Sequence, residues 1–248
     1  MRRIGRLPLS APVAKKLRRE QANANTKNAA GTLKVEAEWK RARQTQPLKA
    51  VVAVLKDMAG PRERCMFCGN SHGTDIEHFW PKARYPEHLF QWTNMLLGCT
   101  DCGRIKGSKF PLAAAEPLMV DPTVDDPWYF LDFDPDTGNL VPRFHEAAGG
   151  TTLKGEKTVE VLQLDRREAL ARGYQMSFRR IRSKIEEMLP SAAPDAAALV
   201  QELTEEEDDH RLLGWCFRGA GVNSSPLIDL RQRHPAVWAA CVQALGHF

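Results

Sequence analysis

No stretch of the 248 residues is apolar over anything near the eighteen or so residues that cross a bilayer. The longest apolar run towards the N-terminus, Ala50 to Leu55, fits inside one amphipathic helix, so neither a membrane anchor nor a membrane partner is expected. The first twenty residues are basic but lack the apolar centre of a secretory signal, and no internal repeat is evident, which excludes a solenoid. A cytoplasmic protein is the expectation, and in that compartment cysteines more often bind metal than pair as disulfides. Cysteine is itself scarce, yet four of the six fall in two Cys-x-x-Cys pairs, Cys65/Cys68 and Cys99/Cys102. Four thiolates so spaced satisfy tetrahedral zinc in a closed structural site. Cys216 and Cys241 are isolated in apolar surroundings and read as plain core residues.

The charge is uneven. Residues 1–60 carry a net +10 and the remaining residues a net −6. A basic N-terminal arm on a mildly acidic body points to a polyanion or an acidic partner surface, or to a solvated helical face. Helices are expected from Ala11 to Ala24, with Pro12 in the first turn, and from Thr32 through Trp39. The clearest is Leu48 to Met58, where Leu48, Val51, Val52, Leu55 and Met58 recur at buried-face spacing. Asn23 to Gly31 reads as a break between the first two. Further on, WYFLDF and LVP around Asp136-Thr137-Gly138-Asn139 read as a β-hairpin with a bulge at Gly138. Helix returns from Thr158 to Met188, the six acids between Glu202 and Asp209 read as a solvated helix end, and two helices follow from Leu212.

Between the cysteine pairs lie Glu77-His78 and Asn94. An imidazole can take a proton from water near neutral pH while a neighbouring carboxylate holds a hard divalent cation. Neighbours on a regular strand point to opposite faces, so the two share one site only if the strand ends there, as Pro81 suggests. Asn94 can orient a histidine ring or bridge loop backbone. The helix opening at Cys99 would aim its positive end, with Arg104 and Lys106, at a phosphate.

The order Cys-x-x-Cys, acid-His, Asn, Cys-x-x-Cys and basic helix resembles the HNH endonucleases. More closely, DIEHFWPKARYPEHLFQWTNMLLGCTDCGRIKGSKFP, with PLMVDP, WYF and LDFDPDTGNLVP, looks like the nuclease subunits of Septu-type anti-phage defence systems, the PtuB family, over about Leu48 to Arg182. The resemblance implies that His78 is the general base, that Glu77 faces the catalytic cation with Asp75 as helper, and that Asn94 orients the base. It implies a structural zinc on Cys65, Cys68, Cys99 and Cys102, a catalytic magnesium or manganese, an ABC-type ATPase subunit (PtuA-like) as partner, and DNA or RNA as substrate, contacted by Lys82, Arg104, Lys106 and Lys109.

One departure stands out. Where the family pattern places an Asn or His directly after the last cysteine, this chain has Gly103. Asp101 or water substitutes as a ligand, or the metal binds weakly, or the chain is a catalytically impaired, zinc-stabilised module that binds nucleic acid or a partner. The expected fold is α+β and mainly helical. It has a basic helical arm at 1–60, a zinc-stapled ββα-metal core with its hairpin at 61–145, and a helical region at 146–248.

Overall fold

The computed structural model describes residues 1–206 and 212–246, so part of the acidic run, Glu207 to Asp209, lies outside the described residues. The chain forms two compact units. One comprises Gly5–Phe67 and Ser71–Pro111; the other comprises Leu112–Phe248 together with Met1–Ile4 and Cys68–Asn70. Among the described residues the architecture is mixed, with helices and four small antiparallel strand pairs.

In the first unit, α1 runs from Ala11–Ala29, with proline in its first turn. The expected break at Asn23 does not occur. Gln21, buried on this helix, donates to Asn25 Oδ1 (2.7 Å) and to the Pro86 carbonyl (3.0 Å) and accepts from the Phe90 amide (2.6 Å). Burial of Leu17 and Ala24 on the same side favours continuing the helix over the weak breaking tendency of asparagine. It ends where Gly31 takes a left-handed φ of 67°. Helix α2 (Val35–Ala42) buries Trp39, and α3 (Gln46–Ala59) buries Leu48, Val51, Leu55 and Met58 of the face that periodicity marks, with Val52 half-buried at its edge. Strands β1 (Asp75–His78) and β2 (Met95–Gly98) pair antiparallel, Glu77 opposite Leu96 and His78 opposite Met95. Helix α3 packs on β2, whose four residues are all buried, and α4 (Thr100–Lys106) follows β2 directly.

The second unit begins with a short hairpin of β3 (Leu112–Ala113) and β4 (Glu116–Pro117). Trp128 to Phe130, expected as strand, lie instead in a single helical turn, α5 (Pro127–Phe130). Proline opens it and the Asp126 side chain accepts from the Trp128 amide, satisfying a donor that a strand would leave unpaired. The hairpin of β5 (Leu131–Phe133) and β6 (Leu140–Pro142) pairs as read, Phe133 opposite Leu140. A two-residue pair follows, β7 (Phe144–His145) with β8 (Gly150–Thr151). The expected long helix is two, α6 (Leu153–Leu162) and α7 (Glu168–Met188), parted at Gln163 with φ of 51°. Then come α8 (Ala196–Gln201), α9 (Leu213–Phe217), α10 (Leu227–Arg233) and α11 (Pro235–Leu245), three helices after Leu212 where two were expected. Phe133, Phe178 and Trp215 pack edge to face at its centre, and the Trp215 Nε1–H donates to Asp132 Oδ1 (2.5 Å). Cys216 and Cys241 are buried here as free thiols, and burial raises the pKa of both.

The β5–β6 turn depends on one glycine. Gly138 has φ of 80°, and a Cβ there would sit 2.4 Å from the Ala171 carbonyl oxygen of α7. Both the backbone region and the space exclude a side chain, so Gly138→Ala is expected to destabilise the fold by about 1–3 kcal/mol, read as a lower midpoint in urea with an unchanged slope.

Candidate functional site

The four paired cysteines come together. Their sulfurs all lie within 4.8 Å of one another, and all four residues are buried. The first pair sits on a turn closed by Cys65 N–H donating to the Ser71 carbonyl (2.9 Å), with Gly69 at φ of 60°. The Met66 N–H donates to the Leu97 carbonyl (2.8 Å), tying that turn to β2. The second pair spans the start of α4, where the Cys102 amide donates to Cys99 Sγ (3.4 Å). Soft thiolates, four in number and mutually close, fit zinc. One leading amide of α4, that of Cys102, is thus directed at a thiolate sulfur of the cluster.

A separate cleft of about 260 Å³ lies at the end of β1. Glu77, His78, Pro81, Lys82 and Gly103 all line it, so the two neighbours on the strand do meet one space where the strand stops. His78 is 4% exposed, and its Nε2 lies 2.9 Å from the Leu89 carbonyl. A carbonyl only accepts, so Nε2 carries the proton and Nδ1 is the basic nitrogen. Trp39 packs its edge against the ring at 4.4 Å between centroids. Burial pushes the imidazole pKa down from 6.5 to about 3, opposed by the Leu89 bond and assisted by the Lys82 and Lys106 charges.

Asn94 does not touch the ring. Its Oδ1 accepts from the Trp80 amide (2.6 Å), and its Nδ2 donates to the carbonyls of Trp80 (3.1 Å) and His88 (3.0 Å). It closes the loop that follows β1, and that loop carries the Leu89 carbonyl on which His78 rests. Of the two roles open to a carboxamide, backbone bridging is the one seen.

Lys106 is not at the surface. Its side chain is wholly buried, and its ammonium reaches Glu77 Oε1 (3.0 Å) and the His78 carbonyl (2.7 Å). Burial lowers its pKa and the Glu77 charge raises it. Arg104 and Lys109 are exposed, while Lys82 pairs with Glu36 at 3.0 Å. Asp75 pairs with Arg43 at 2.8 Å and caps its own strand through the Ile76 amide, and Asp101 is exposed on the first turn of α4; neither lines the cleft. Gly103 does, and a Cβ there would stand 3.1 Å from Glu77 Oε2. Glu36 of α2 also lines it. Sequence reasoning missed Glu36, because nothing in its spacing links it to a strand some forty residues away.

The chain is 32% identical over 112 residues to the Septu protein PtuB of Bacillus thuringiensis, a match covering 43% of this chain and 38% of that protein. This chain thus spans well under half the length of the relative it resembles. No family model matches, and no solved structure matches. Among the described residues no helix is long and apolar enough to cross a membrane.

Two outcomes are expected. Metal analysis of purified protein finds about one zinc per chain, and Cys102→Ser or a strong chelator removes it with a marked loss of thermal stability. The second concerns pH. Unfolded His78 protonates near 6.5 and the folded residue only near 3, so between these values the unfolded state binds more protons. Stability falls as pH drops below 6.5, by up to about 1.4 kcal/mol per unit from this residue, and the contribution is flat above it. Urea melts of wild type and His78→Gln between pH 4 and 7 isolate this slope from acid effects on the thiolates, and equal slopes would contradict the assignment.

Proposed function

We propose that the chain is a metal-dependent endonuclease of the HNH type, hydrolysing phosphodiester bonds as the effector of a Septu-like anti-phage complex whose other subunit is an ABC-type ATPase. The observation that carries the reading is the cleft at the end of β1. There a buried, neutral His78, held by its Nε2–H, shares one space with the Glu77 carboxylate, on a hairpin-helix unit braced by four thiolates. The PtuB likeness supports the defence context.

In this reading Nδ1 of His78 accepts a proton from water as the water oxygen bonds to phosphorus and the P–O bond to the leaving sugar oxygen breaks. The Leu89 carbonyl fixes the ring and steadies the imidazolium that forms. An imidazole of pKa about 3 is a poor base in an empty cleft. The negative phosphodiester entering beside it supplies the charge that raises it. Glu77 Oε2, the oxygen not bound to Lys106, is a hard donor suited to magnesium or manganese. When bound, that cation supplies charge stabilisation at the phosphoryl and leaving oxygens. Asn94 holds the loop, the exposed Arg104 and Lys109 lie available to phosphates, Lys82 joins them once a phosphate displaces Glu36, and the zinc stays structural.

A second reading is favoured by Gly103: a zinc-stabilised module that binds nucleic acid or a partner without cutting. Incubating purified protein, with and without the ATPase, with DNA and RNA plus Mg²⁺ or Mn²⁺ separates the two. The nuclease reading expects metal-dependent cleavage that His78→Ala lowers by about a hundredfold or more. No cleavage in any arm, with salt-dependent binding retained and cleavage appearing only in Gly103→Asn, supports the binding module instead.

A further inference from the structure

The strongest feature that this mechanism leaves unused is the ammonium of Lys106. A wholly buried lysine is uncommon, and this one is held by two oxygens of the residues at the end of β1: Glu77 Oε1 at 3.0 Å and the His78 carbonyl at 2.7 Å. Lys106 lies one helical turn after Gly103, so both positions share the face of α4 turned to Glu77. Between them they treat the two carboxylate oxygens differently. One is occupied by the ammonium; the other, Oε2, faces Gly103, where even a Cβ would come within 3.1 Å. Among the charges at the cleft, Lys82 is already paired with Glu36, so Lys106 is the cation that answers Glu77.

We propose that Lys106 is a positioning residue that acts as the built-in counter-cation of Glu77: it holds the carboxylate and the His78 backbone in place and restricts a divalent cation to the single oxygen Oε2, competing electrostatically with that cation. This rests on the reading of Glu77 as the cation-facing carboxylate. The site accordingly trades affinity for orientation. Gly103 keeps the approach to Oε2 open, and Lys106 keeps the carboxylate from turning both oxygens to the metal.

The two effects have opposite signs when the lysine is neutralised. In zinc-loaded protein titrated with Mn²⁺ alone, followed by water-proton relaxation, Lys106→Met is expected to bind Mn²⁺ about tenfold more tightly, the size of one unit charge acting in a half-solvated site. Cleavage at saturating Mn²⁺ falls in the same variant because Glu77 and His78 lose their anchor. A residue that merely supports the fold would weaken both. Lys106→Gln, which keeps a donor for Glu77 without the charge, gives the same tightening and serves should the Met variant fail to fold, and Lys106→Arg restores wild-type affinity. Mn²⁺ binding that is abolished by Glu77→Gln yet unchanged or weaker in both neutral variants overturns the assignment of Lys106. Absence of any Glu77-dependent Mn²⁺ binding in wild type overturns the reading beneath it.

Discussion

Four sulfurs within 4.8 Å of one another hold the part of this molecule where the chemistry is read. A two-stranded hairpin of four residue pairs and a helix of seven residues cannot stand alone in water. The β1–β2–α4 unit gains its rigidity from two sources: α3 packing on the buried strand β2, and the thiolate cluster that fixes where α4 starts. Because Cys99 and Cys102 sit on the first turn of α4, their placement sets the helix's rotation. That rotation decides that Gly103 and Lys106, and not Arg104 or Asp101, look at Glu77. The cluster is scaffold, yet it sets the geometry of a carboxylate it never touches.

The same economy operates in the loop after β1. His78 is one of the few polar side chains taken fully inside, and its ring would be costly there without a partner for Nε2. The partner is a backbone carbonyl, Leu89, which is only as well placed as the loop that carries it. Asn94 settles that loop with three hydrogen bonds to Trp80 and His88. The asparagine thus acts on the histidine at one remove, through main chain. Trp39 closes the other side of the ring, so the helices before the first cysteine pair contribute to the site's environment. A basic leading segment that sequence composition presents as an arm is, for α1 to α3, packed structure.

How much of this could be read from the sequence follows from the range of the forces involved. Cysteine spacing is local and chemically specific, so the cluster was legible; so were the buried face of α3, a pattern of period 3.6, and the Phe133–Leu140 hairpin. Asn23 to Ala29 stay helical because asparagine's breaking tendency is a few tenths of a kcal/mol per residue, which tertiary burial of Gln21 and Ala24 easily exceeds. Trp128 to Phe130 have strand-like side chains, but Pro127 and the Asp126 cap direct them into a turn. Lysine is nearly always exposed, so the sequence alone points Lys106 at a phosphate. Only the placement of Glu77 across the hairpin reveals that this one has a buried partner.

Gly103 is then better understood together with Lys106 than as a missing ligand. Glycine inside a helix costs about 1 kcal/mol relative to alanine, and α4 bears it at the one position whose Cβ would crowd Glu77 Oε2. An ammonium on the next turn of the same face binds Oε1. One oxygen is anchored and the other faces Gly103, in a cleft that Glu77 and His78 line together. That asymmetry is what a carboxylate needs to present a single, oriented oxygen to a hard cation, and it makes the small residue at 103 part of the arrangement.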